Sequence, residues 1–145
     1  MLGLFTLCEA YLVAFIASHY EPEIVLAAAV ATAGVTVAIS VYAFTTKKDF
    51  TICGPMMLVV GFTLCIMSLM TIVFGLASGQ WRVAHMAICC IAVILFSLYL
   101  LFDTQLIMGG KRYEIEIDDY ILGAVILYTD IITIFIYLLR IFGGK

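Results

Sequence analysis

Charge is what this chain has least of. Of its 145 residues only 12% are charged, 7 basic and 10 acidic for a net charge of −3, where an ordinary globular domain carries about 25%. With 66% hydrophobic residues and a mean hydropathy of +1.22, a water-soluble fold would have to expose far more apolar surface than water tolerates. The remaining solvent is lipid. Basic residues are too few, and too confined to short loops, to build the clustered surface that nucleic acid needs. The five cysteines, Cys8, Cys53, Cys65, Cys89 and Cys90, form no CxxC pair. With His19 and His85 as the only further soft ligands, a four-ligand zinc site at characteristic spacing is not expected and the thiols read as buried, structural side chains. There is no repeat of 20 to 50 residues. The first segment lacks the basic flank and small-residue cleavage site of a signal peptide.

Present instead are long intervals without charge. A helical pass needs about 20 apolar residues, and the charges and loop formers divide the chain into five such passes, at about 1–18, 24–44, 55–76, 83–108 and 119–142. Paired glycines, Gly109-Gly110 and Gly143-Gly144, close the last two, and Asp118 and Asp119 open the fifth where the helix dipole favours acids. The expected fold is therefore all-α, one polytopic transmembrane domain over 1–145 with no sizeable part outside the bilayer. Five simple crossings put Lys47, Lys48, Lys111 and Arg112 on the N-terminal side and Arg82, Arg140 and Lys145 on the other. If the last span re-enters, the charge asymmetry sharpens; either way the N-terminus is expected in the cytosol. Trp81 beside Arg82 reads as an interfacial anchor, His85 as a satisfied interfacial residue, and the seven methionines as packing filler.

Three acids lie well inside spans: Glu9, Asp103 and Asp130. A carboxylate at the bilayer centre costs about 2.5 to 3.5 kcal/mol on insertion scales, so such groups face water, a partner or an ion path. Counted from Lys111 and from Asp119 at 1.5 Å per residue, Asp103 and Asp130 lie about 12 and 16 Å from one face, and Glu9 about 12 Å from Met1. Three acids at one level with no basic residue at that depth make a candidate proton or cation site, and oxygen-only ligation suits a hard cation such as calcium. No other cofactor is expected. Asp130, Thr133 and Tyr137 share a helical face, as do Tyr99 and Asp103, so Tyr99, Thr133 and Tyr137 are candidate path-lining residues. Two close carboxylates would not both ionise, and their coupled titration suits a proton-responsive gate. The alternative is that each acid is protonated and hydrogen-bonded to a neighbouring helix for structure alone.

Enzymatic chemistry is not expected. Paired intramembrane aspartates can activate water, but the Gly-x-Gly-Asp and Pro-Ala-Leu segments of intramembrane aspartyl proteases are missing, because Asp103 follows Leu101-Phe102 and Asp130 follows Tyr128-Thr129. Ser78-Gly79 with His85 lacks the glycine pattern of a nucleophile.

Four ordered segments, Thr6 to Tyr11, Phe44 to Thr51, Leu98 to Lys111 (LYLLFDTQLIMGGK) and Leu127 to Tyr137 (LYTDIITIFIY), resemble the lifeguard, or transmembrane Bax inhibitor motif, family over nearly the whole chain. The resemblance implies a fold of about seven helices with the last one central, of which this chain supplies the last five. Phe102 stands where the family usually has tyrosine, and Ile126 and Thr133 where asparagine is common. The resemblance further implies calcium leak and suppression of cell death, with Asp103 and Asp130 as a pH-sensitive dyad. It also implies an endoplasmic reticulum, Golgi or plasma membrane location. Beginning at the family's third helix, the chain is expected to lack the basic residue that latches the dyad.

Two readings follow. One is a proton-modulated calcium leak in which Asp103 and Asp130 bind or gate the ion, with Glu9 as a third ligand or a wet wall. The other is a membrane interaction protein without transport, either self-associating or contacting membrane proteins such as death regulators through the small-residue stripe Ala27, Ala31 and Gly34 or Ala38.

Overall fold

The computed structural model describes residues 2–50, 52, 54–79, 81–108 and 120–143. Within them are five helices and no strand: α1 (Leu2–Ala17), α2 (Pro22–Thr45), α3 (Gly54–Ser78), α4 (Trp81–Met108) and α5 (Tyr120–Gly143). Each bound falls within two residues of the expected span, because the charges, prolines and glycines that break the apolar runs also break the helices. Pro22 occupies the first turn of α2, where its missing N–H costs nothing and its fixed φ suits the helix. Gly79, with φ +72°, ends α3 in a left-handed conformation that glycine adopts without strain. The expected loop Gly109 to Asp119 lies outside the described residues.

Four of the helices, α2 to α5, are long and apolar enough to cross a membrane. α1 has 16 residues and a length of about 24 Å, short of the roughly 30 Å hydrocarbon layer. α5 runs 24 residues unbroken, without the interruption that a re-entrant segment needs.

α4 packs on α2, α3 and α5, and α5 on α4, α2 and α1, so the last helix shares the centre with α4 instead of holding it alone. Lipid supplies no hydrophobic drive between helices, and close fit replaces it. Ala28 of α2, Leu100 of α4 and Ile134, Leu138 and Leu139 of α5 form one packed cluster; Leu64 of α3 with Ile88, Ala92 and Leu95 of α4 form another. The outer faces are apolar as lipid requires: Leu58, Phe62 and Leu76 of α3 are more than two-thirds exposed. Cys89 is buried, whereas Cys8, Cys65 and Cys90 are exposed, so three of the thiols are not buried as expected. The small-residue stripe lies mostly on the outward side of α2. α2 turns Ala28, Thr32 and Ala43 into the bundle, while Ala27, Gly34 and Ala38 point away from it.

Candidate functional site

Asp103 and Asp130 come together. Asp103 lies on α4, eight residues beyond the turn that carries the core residue Leu95, and Asp130 on α5, one turn before Ile134. Packing of these two helices buries both side chains, 9% and 7% exposed, within hydrogen-bonding reach of each other. Oδ2 of Asp130 is fully buried and meets no hydrogen-bond donor. No basic side chain among the described residues is paired with either acid. A carboxylate only accepts hydrogen bonds, so two carboxyl groups bond to each other only when one carries a proton. With no cation beside it, the pair can hold a proton or a positive ion and little else.

The pair opens onto a groove of about 620 Å³ between α3 and α5, with α4 as its floor; α3 and α5 share no extended interface among the described residues. Tyr99, Phe102 and Ile126 line it beside the acids. Two glycines of α3 shape its wall. A Cβ on Gly54 would stand 3.3 Å from the Phe102 ring, and one on Gly61 would fall on the Tyr99 hydroxyl. That hydroxyl donates to the Met57 carbonyl of α3, which fixes the tyrosine across the groove one helical turn from Asp103.

The other expected residues fall elsewhere. Thr133 donates its hydroxyl to the Thr129 carbonyl of its own helix at 2.7 Å and does not line the groove. Tyr137 stacks on Phe96 with ring centroids 5.9 Å apart and lines a separate, small cavity toward the other end of the bundle. Glu9 is half-buried on α1, which packs on α5 through an edge contact of Phe5 with Tyr128. No three His, Cys, Asp or Glu side chains converge among the described residues, so Glu9 does not complete a three-acid site. Residue counting puts the three acids at one depth, but only Asp103 and Asp130 meet.

One residue escaped the sequence reading. Gln105, two positions from Asp103, is completely buried. Its Nε2 donates to the Lys48 carbonyl at 3.1 Å, and its Oε1 accepts from the Phe50 N–H at 2.8 Å. The loop between α2 and α3 is thereby tied to the helix that carries the acid. A neutral amide near a helix end carries no charge penalty to flag it, and only its total burial marks it out.

An all-helical, membrane-spanning bundle that buries a carboxyl pair between its two central helices is the class of protein defined by this geometry. The chain belongs to the Bax1-I family, described as inhibitor of apoptosis-promoting Bax1, whose match covers residues 1–145. It is 36% identical over 146 residues to protein lifeguard 3 of Mus musculus and of Homo sapiens, a match covering 100% of this chain and 47% and 46% of theirs. Protein LIFEGUARD 4 of Arabidopsis thaliana is 35% identical over 145 residues, covering 98% of this chain and 56% of its own length. The chain thus spans about half the length of the curated relatives it matches.

Proposed function

We propose that this bundle regulates cell death by a proton-modulated calcium leak gated at Asp103 and Asp130. The observation that carries the reading is the contact of two buried carboxyl groups with no basic partner among the described residues. With a proton between them, the groups hold α4 and α5 together. With both ionised, repulsion at low dielectric pushes the helices apart and a cation is drawn to the two charges. Calcium, a hard ion that takes oxygen ligands, suits the pair, with further oxygens supplied by water in the groove. Membership of a family named for inhibition of an apoptosis-promoting protein supports the cell-death role.

The test is calcium flux into liposomes containing the 145-residue chain at acidic and neutral pH. The native chain is expected to leak more at neutral than at acidic pH, and Asp103→Asn and Asp130→Asn each to flatten that dependence. Equal pH dependence in all three proteins would overturn the proposal.

A further inference from the structure

At the other end of the bundle from the acids, α3, α4 and α5 enclose a second cavity, of about 60 Å³, in which Ser68, Thr71, His85, Tyr137 and Arg140 meet the apolar Ile72 and Ile88. Its polarity is opposite to that of the groove. Arg140 is the one basic residue in α5, and its guanidinium lies 5.5 Å over the Tyr137 ring. That cation–π contact holds the side chain in place without consuming its N–H donors. The positive charge also acts on His85 across the cavity. Thr71 spends its hydroxyl proton on the Met67 carbonyl at 2.8 Å, but no hydrogen bond ties up the Ser68 or Tyr137 hydroxyl among the described residues. The cavity therefore offers a fixed guanidinium fork and two hydroxyl donors, and no carboxylate lines it.

Depth and size narrow the ligand. Arg140 is three residues from the end of α5, and His85 four from the start of α4, so they lie about 5 and 6 Å inside the helix ends. This is the level at which lipid headgroups meet the hydrocarbon. A water occupies about 10 to 15 Å³ on the same measure, so a 60 Å³ cavity holds the few heavy atoms of one phosphate group. We propose that this cavity binds phosphate, with the Arg140 fork as its principal donor and Ser68 and Tyr137 completing the shell. Two sources present that chemistry: the headgroup of an anionic phospholipid and free phosphate.

The 145-residue chain in nanodiscs of phosphatidylcholine with a minority of spin-labelled phosphatidic acid distinguishes them, read as the fraction of motionally restricted label. A charge-assisted hydrogen bond is worth about 1.5 to 3 kcal/mol, so Arg140→Gln is expected to weaken retention about tenfold or more. Arg140→Lys, which keeps charge but loses the fork, should fall between, and Ser68→Ala should weaken retention severalfold. Arg82→Gln, a basic residue on the same side but outside the cavity, should leave retention unchanged. Loss of label on adding millimolar inorganic phosphate would support the site with free phosphate as a competing source; indifference to it would support the lipid headgroup. Retention unchanged in both Arg140→Gln and Ser68→Ala, or lowered equally by Arg82→Gln, would overturn the proposal. Helical circular dichroism of each variant separates loss of the site from loss of fold, and Ser68→Ala still decides the matter if Arg140→Gln fails to fold.

Discussion

Gln105 and the aspartates show how much one buried polar side chain can decide when the solvent is lipid. Gln105 satisfies two backbone groups of the loop between α2 and α3. Gln105→Leu keeps the volume roughly but strands the Lys48 carbonyl and the Phe50 N–H, at a cost of about 1 to 3 kcal/mol for each group that water cannot reach. Trypsin cleavage after Lys47 and Lys48 is expected to become several times faster in that variant, measured by the decay of intact chain in nanodiscs; unchanged cleavage would show that the loop is held by something else. At this scale the sequence was partly legible. The cost of charge in lipid singled out Asp103 and Asp130, and counting residues from the loop placed them at one depth. The same counting put Glu9 at that depth and could not see that α1 approaches α5 through Phe5 and Tyr128 instead of reaching the pair. Thr133 and Tyr137 were assigned to the face of Asp130 because one helical face is broad. Only packing shows that Thr133 bonds to its own helix and that Tyr137 turns toward Phe96.

Helix positions were the most legible feature, since charges, prolines and paired glycines are few and each ends an apolar run. Which face of a helix turns inward was the least legible, because α2 is apolar or small all round and gives no amphipathic signal. Ala27 and Ala28 are neighbours with opposite surroundings, the first pointing outward and the second completely buried between α2 and its partners. Ala28→Leu is therefore expected to overpack the cluster with Leu100 and Ile134 and destabilise the bundle by about 1 to 3 kcal/mol. Ala27→Leu only adds a methyl-rich side chain to the lipid-facing surface and should be near neutral. Thermal unfolding of the two variants in the same detergent would test this; equal midpoints would mean that the packing face of α2 is assigned wrongly. The outward stripe of Ala27, Gly34 and Ala38 leaves a smooth strip on which another helix could approach closely.

The whole molecule is a bundle whose interior is concentrated around α4 and α5, with α1 attached to the rim through α5 and α3 through α4. Such uneven packing implies uneven opening, because an element with few neighbours can detach at less cost than one at the centre. In detergent micelles, hydrogen exchange followed by mass spectrometry is expected to reach α1 first and the middle of α4 and α5 last. Uniform exchange across the five helices would contradict that order. The two cavities between α3, α4 and α5 hold a carboxyl pair toward one end of the bundle and a guanidinium with hydroxyls toward the other. They lie about 15 Å apart along α5, from Asp130 to Arg140, so the last helix carries an acid at one level and a base at the other.

The tie made by Gln105 has one more property. Both of its hydrogen bonds end on backbone atoms, the carbonyl of Lys48 and the N–H of Phe50, and neither reads a loop side chain. The tether itself is therefore indifferent to which side chains the loop carries at those positions, and any shift of the helix bearing Asp103 is conveyed to the loop through the main chain.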